Sequence, residues 1–226
     1  MKIAILAAMD KEMSLLQSLL ENAGSHEVDN VKCLTGRIGH HEVLLAKCGI
    51  GKVNAALNTL KIIRDFHPEL VINSGVAGGA GPLGIGALLV AGEAAYHDVW
   101  CGPGTLPGAP DGFTQVFMTD REVLASARRT LGDRASYGLI ATGDRFISKA
   151  EEIDRVHEVF PGAEAVDMES AAIAQTCVSE GVRFSIVRVV SDTPGQGENI
   201  SQYKDFWSKA PETTFSALQS ILASLE

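Results

Sequence analysis

The sequence predicts an α/β fold built on one central sheet. Three observations carry that reading. Apolar-rich runs of strand length recur: residues 2–8 (KIAILAA) are continuously apolar from Ile3 onward, and 69–75 (ELVINSG) and 183–192 (RFSIVRVVSD) read as further buried strands. Such runs belong to strands covered on both faces. Between them lie segments whose apolar residues keep helical spacing, an alternation typical of α/β domains. No repeat, low-complexity tract or linker divides the 226 residues, a length that one large domain accommodates, so residues 1–226 read as a single domain.

The elements follow in order. After the first strand, Met9 onward reads as a helix with Met13, Leu16, Leu19 and Leu20 on one face. VKCLTGRI and HEVLLAKC, joined at Gly39-His40, read as a hairpin. Val53, Ala56, Leu57, Leu60 and Ile63 mark a second helix, with Pro68 just beyond its end. Residues 69–75 form the next buried strand and 87–96 (ALLVAGEAAY) a longer one. Residues 101–113, rich in Gly and Pro, form a loop. Thr119 or Asp120 caps a helix that ends near Gly132. YGLIAT (137–142) is a strand, and Ser148 with Glu151 has capping-box spacing before Ile153, Val156 and Val159. AEAV (163–166) is a short strand, and a helix from Met168 to Glu180 closes at Gly181. Residues 183–192 are a strand, and residues 211–225 an amphipathic terminal helix with Phe215, Leu218, Ile221, Leu222 and Leu225 inward.

The formal net charge of −9 excludes a broad nucleic-acid surface, which would be basic. No run approaches the roughly 20 apolar residues of a membrane span. The N-terminal apolar run stops at Asp10, Lys11 and Glu12 and suits a buried strand better than a signal peptide. Cys33, Cys48, Cys101 and Cys177 are scattered without a CxxC pair, which points to free thiols and a cytoplasmic setting. The six histidines form no compact ligand pattern, so neither a metal nor a cofactor is expected.

Several stretches invite a functional and a plainer reading together. Gly49-Ile50-Gly51-Lys52-Val53-Asn54 is either a tight turn before a helix or a backbone approach to a ligand; it matches neither the dinucleotide nor the P-loop pattern. Asn73 to Gly79 is either a flexible loop or a small-residue platform at a strand end, where open α/β sheets bind ligands. Ser191-Asp192 closes an apolar strand, as catalytic groups and turn formers both do. Arg188 lies inside that strand and needs a carboxylate partner. Glu12 begins a helix, where a carboxylate is held charged. His97-Asp98 suggests a relay, but no nucleophile motif accompanies it. AEAVDMESAAIA (163–174) sets Asp167 and Glu169 in an apolar run, where carboxylates require partners.

In order, AAMDKEM (7–13), CGIGKVNAA (48–56), INSGVAGG (72–79), EAAYHD (93–98), TGDRFI (142–147), VDMESAAIA (166–174) and VRVVSD (187–192) resemble the 5′-methylthioadenosine/S-adenosylhomocysteine nucleosidases of the nucleoside phosphorylase superfamily. The resemblance implies a nucleoside phosphorylase-like α/β domain with a mixed central sheet flanked by helices, a homodimer, a nucleoside substrate and irreversible hydrolysis of the adenine N-glycosidic bond. It assigns Asp192 as the general acid toward adenine N7, with Ser191 positioning it, and Glu12 as activator of the attacking water, with Arg188 organising that side. Glu169 then accepts from the ribose hydroxyls, beside Met168. Phe146 stacks on the base and the backbone of Ile147 reads its edge. Val76, Ala77 and Gly78 line the site, and Met9, Ile50 and Tyr203 border the sugar and the 5′-thio group. Asp167 is expected to be only a helix-start residue.

The sequence also departs from that family. Val76 stands where many members carry Ser, and Arg145 where a small or neutral residue is usual. The loop after Asp98 is short. These departures leave open a hydrolase of futalosine or its 6-amino derivative, a phosphate-dependent purine nucleoside phosphorylase, and a binding module without catalysis.

Overall fold

The computed structural model describes residues 1–196, 199–209 and 212–225. The first half contains β1 (Lys2–Ala7), α1 (Asp10–Gln17), β2 (Glu21–Val28), β3 (Val31–Ile38), β4 (His41–Lys47), α2 (Lys52–Phe66), β5 (Leu70–Gly79), β6 (Leu88–Ala91) and β7 (Glu93–Tyr96). The second half adds β8 (Val116–Met118), α3 (Arg121–Leu131), β9 (Ala135–Ser136), β10 (Leu139–Thr142), α4 (Ala150–Val159), β11 (Ala163–Asp167), α5 (Ser170–Glu180), β12 (Arg183–Asp192), α6 (Asn199–Lys209) and α7 (Glu212–Ala223).

The strands form one mixed sheet whose main path runs β2-β3-β4-β1-β5-β11-β10-β7-β8. β5 is its pivot. Leu70–Asn73 run parallel to β1, Leu70–Gly78 run parallel to β12, and Gly78 and Gly79 pair antiparallel with β11. Strand side chains alternate between faces. Ala4, Leu6, Leu44 and Val71 therefore pack under α2 and α5, against Ile62, Phe66, Ala171 and Cys177. Ile3, Ile5, Val43, Leu45, Val187 and Val189 turn the other way, toward Leu16, Val123, Ala127, Leu218, Ile221 and Leu222 of α1, α3 and α7. Covering both faces is why β1 and β12 read as largely apolar runs. Each fully buried Leu or Ile contributes about 1.5–3 kcal/mol.

Local signals hold where the chain itself satisfies them. Asp120 caps α3 by accepting from the backbone N–H groups of Glu122 and Val123 at 3.1 and 3.0 Å. Gly181 closes α5 in the left-handed region, at φ +69°. The β3–β4 hairpin, the 101–113 loop and the bounds of β12 also match expectation. Of the predicted terminal helix, residue 211 and the Phe215 side chain lie outside the described residues.

Three readings need correction, and β2 and α6 had no counterpart in the sequence reading. The first helix stops at Gln17, so Leu19 and Leu20 lie in the turn beyond it. The next residues form β2, a strand with seven exposed positions out of eight. It is an edge strand held by backbone pairing with β3, which requires no apolar alternation. Residues 87–96 are two strands, because Gly92 bends the chain and donates its N–H to Gly138 O at 3.0 Å. β6 then pairs with β12 and β7 with β10. Finally, Glu152, not Glu151, serves the start of α4: its Oε2 accepts from the N–H groups of Ser148 and Lys149 at 3.0 and 3.1 Å.

Candidate active site

The ends of β1, β5, β11 and β12 converge, and each delivers part of one cavity. Past β1, Glu12 sits in the first turn of α1 and folds back over the chain. Its Oε2 accepts from the N–H groups of Ala8 and Met9 at 2.8 and 3.0 Å, and its Oε1 accepts from Val76 N–H at 3.0 Å. Burial pushes its pKa above the usual carboxylate range, against the opposing pull of Arg188 and these donors. Gly75 permits the arrangement. A Cβ there would coincide with Glu12 Oε1 and Arg188 Nη1.

Arg188 is 1 % exposed and lies behind the cavity rather than on its wall. Its Nη2 is 2.6 Å from Asp167 Oδ2 and 3.5 Å from Glu169 Oε2, and its Nη1 donates to Val76 O at 3.3 Å. Asp167 is thus more than a helix-start residue, which corrects the expectation. Besides Arg188 it accepts from Thr142 Oγ1 at 2.6 Å, Ser170 Oγ at 2.5 Å and Ser170 N–H at 3.1 Å. Those partners explain how a carboxylate survives in an apolar run.

Glu169 stands at the start of α5, and its Oε1 accepts from Gly51 N–H at 3.0 Å. Burial, reinforced by the negative charge of Asp167, raises its pKa to about 7. The glycine turn supplies that N–H because Gly51 adopts φ +91°. The next N–H, from Lys52, donates to Asp144 Oδ1 at 2.7 Å. Lys52 Nζ in turn bridges to Asp98 at 2.7 Å, and Asp98 Oδ2 accepts from Asp144 N–H at 2.9 Å, so Asp98 braces the two loops.

Asp192 closes β12 at 2 % exposure. Its Oδ1 accepts from Ser191 Oγ at 2.6 Å and its Oδ2 from Asn199 Nδ2. Burial raises its pKa, opposed by those two hydrogen bonds. Across the cavity, Phe146 and Tyr203 meet edge to face with centroids 5.8 Å apart, and Tyr203 Oη donates to Met9 Sδ at 3.2 Å.

One cavity therefore gathers Glu12, Glu169, Ser191 and Asp192 with Met9, Ile50, Val76, Ala77, Gly78, Met168, Phe146 and Tyr203. Ile147 lines an adjoining recess that shares Gly78, Phe146, Met168 and Asp192. Arg145 also borders the recess, but its guanidinium reaches out to Glu152 Oε1 at 2.7 Å. Val76 contributes its main chain to Glu12 and Arg188, which any side chain would allow. Sequence reasoning missed Asp167, Asn199 and Gly75; for Asp167 the signal was present, since Arg188 demanded a carboxylate. Among the described residues, no group of three or more His, Cys, Asp or Glu side chains is arranged to hold a metal. No described helix is long and apolar enough to cross a membrane.

The family model of the phosphorylase superfamily matches residues 2–223. The chain is 36 % identical over 236 aligned positions to the 5′-methylthioadenosine/S-adenosylhomocysteine nucleosidase of Geobacillus thermodenitrificans, covering 100 % of this chain and 98 % of that protein. It is 34 % identical to the S-adenosylhomocysteine nucleosidase of Streptococcus pyogenes, solved with 5-methylthiotubericidin, at a TM-score of 0.95 over 100 % of this chain and 98 % of that one. The Neisseria meningitidis 5′-methylthioadenosine/S-adenosylhomocysteine nucleosidase, solved with methylthio-immucillin-A, is 33 % identical at a TM-score of 0.93 over 99 % of each chain. Fold and site thus define a protein of the phosphorylase superfamily. Within it, the chain belongs to the 5′-methylthioadenosine/S-adenosylhomocysteine nucleosidases.

Proposed function

We propose that this protein hydrolyses the N-glycosidic bond of 5′-methylthioadenosine and S-adenosylhomocysteine, and of 5′-deoxyadenosine by the same route. The observation that carries this is a single cavity lined by four buried carboxylates, of which Glu12, Glu169 and Asp192 have three different sets of partners. Glycoside cleavage needs one group to protonate the leaving group and another to activate water. Asp192 gives its proton to adenine N7 while the C1′–N9 bond breaks and its electron pair leaves with the base. Glu12, aimed by three backbone donors, takes the proton of the water that adds to C1′. Glu169 accepts from the ribose hydroxyls, in surroundings dry enough to strengthen those bonds. Phe146 and Ile147 hold the base. Met9, Ile50, Met168 and Tyr203 border the sugar and the 5′-thio group. Arg188 keeps the carboxylate cluster from repelling itself apart.

The glycine turn argues against phosphorolysis. Its Gly51 and Lys52 N–H groups, the natural anchors for an anion at a helix start, are already committed to Glu169 and Asp144. The decisive experiment measures adenine release from 5′-methylthioadenosine, S-adenosylhomocysteine, 5′-deoxyadenosine, aminodeoxyfutalosine and inosine, with and without phosphate. Phosphate-independent release from the first two is expected. Reaction of inosine alone, and only with phosphate, overturns the proposal.

The protein is also proposed to act as a cytoplasmic homodimer. Val53 and Leu57 on α2, Trp100 and Leu106 in the following loops and Val178 on α5 are exposed apolar residues, more than a solvated helix face requires. Sedimentation equilibrium showing only monomer at micromolar concentration removes this part.

A further inference from the structure

We propose that Asn199 is a positioning residue for the acid: its side-chain amide reverses as Asp192 gains and loses its proton, serving both states. This rests on the reading of Asp192 as the group that protonates adenine. The four cavity carboxylates differ in the kind of donor that holds them. Glu12 accepts from three backbone N–H groups, Glu169 from Gly51 N–H with Arg188 nearby, and Asp167 from the Arg188 guanidinium and a backbone N–H as well as the hydroxyls of Thr142 and Ser170. The N–H donors in each of these sets cannot become acceptors, so they favour the ionised form throughout.

Asp192 is held otherwise. Among the described residues its carboxylate oxygens accept from two neutral side chains, Ser191 and Asn199, and both can change role. Ser191 has one proton and two acceptors, Asp192 Oδ1 at 2.6 Å and Ala77 O at 3.3 Å. Turned to Ala77, it offers a lone pair to a protonated Asp192. Asn199 is 4 % exposed and, among the described residues, its buried Oδ1 has no hydrogen-bond partner. An unsatisfied buried acceptor is costly. Rotating the amide by a half turn exchanges Nδ2 and Oδ1 at nearly the same positions and gives that oxygen the acid's O–H. The proton then leaves Asp192 Oδ2 for N7, and the amide turns back to donate to the new carboxylate.

The charged and titratable groups around Asp192 do not supply this function. Glu12 of α1, Asp167 before α5 and Glu169 at its start are themselves carboxylates. Arg188 on the same strand is paired to Asp167, and Arg145, beside the recess, to Glu152. Tyr203 of α6 is turned to Met9. β5 carries no titratable side chain.

The test is the pH dependence of kcat and KM for Asn199→Leu and the isosteric Asn199→Asp, with Asp192→Asn as reference. Asn199→Leu is expected to lower kcat by ~10–100-fold and leave KM within about threefold of the parent. Asn199 serves both states, but a charge-assisted hydrogen bond to the carboxylate is about twice as strong as one to the neutral acid, so its loss moves the alkaline limb of kcat to higher pH. Asn199→Asp, which sets a second carboxyl beside the first, moves it further the same way. A limb that stays in place or moves down in either variant overturns the inference, as does a loss confined to KM. If Asp192→Asn itself retains near-parental kcat, the reading of Asp192 fails instead.

Discussion

Arg188 lies 2.6 Å from Asp167 but 3.5 Å from Glu169, and this inequality sets the electrostatics of the cavity. One cation serves three buried carboxylates. Its tight pairing with Asp167 leaves Glu169 and Glu12 only partly compensated, and both are raised.

Removing Asp167 should therefore harm the fold first. Asp167→Ala leaves Arg188 buried without its closest counter-charge, a loss of about 3–5 kcal/mol. A thermal melt should show the midpoint falling by roughly 6–20 °C for a chain of this size. A shift under 3 °C would mean that Glu169 takes over the pairing.

The proposed acid and base, Asp192 and Glu12, separate from the fold in the opposite sense. Glu12→Gln and Asp192→Asn keep shape and most hydrogen bonds, so circular dichroism should be unchanged while kcat falls ~10²–10⁴-fold in each. Near-parental turnover in either variant removes the role assigned to that residue.

Glu169 makes the apo protein sensitive to pH. Its folded pKa of about 7 lies above the ordinary carboxylate value of 4.5. Its contribution to stability is then fully present below pH 4.5 and is lost as pH rises through 7. Glu169→Gln should flatten that decline and stabilise the empty protein at pH 8 by about 1–3 kcal/mol, read from urea melts. Ribose hydroxyls need the ionised acceptor, so the parental KM should rise as pH falls below about 7. A KM that is level between pH 5.5 and 8 contradicts the assignment.

Gly75 tests the close approach of Glu12 to Arg188. Gly75→Ala places a methyl on both groups and should cost about 1–3 kcal/mol as they are pushed aside. Activity should fall by at least 100-fold, a proportion on the order of that for losing one catalytic proton transfer. A crystal structure of the variant with Glu12 unmoved would refute the steric argument.

Much of this molecule could be read from its residues, and the exceptions share a cause. β1 and β12 were legible because burial on both faces makes their sequences mostly apolar, and α3 because Asp120 caps within its own chain. β2 was not, since a solvated edge strand is defined by its partner's backbone rather than by its own pattern. Gly92 concealed a break because both halves of 87–96 are apolar. In the site, Glu12, Glu169 and Asp192 sit in motifs, whereas Asn199 matters only through its approach to Asp192, seven positions away across a turn. Asp167 drew attention as a misplaced charge, but its purpose depends on Arg188, 21 positions along.

β5 draws its neighbours from distant parts of the chain, and Arg188 reaches Val76 across 112 positions. During synthesis, Glu12, Asp167 and Glu169 therefore emerge before the cation that reconciles them. A ribosome-arrested chain ending before β12 holds acidic groups that have no reason to gather, and no competence to cleave anything. Long-range strand pairing of this kind is slow, so catalytic capacity arrives in the closing step of folding, all at once.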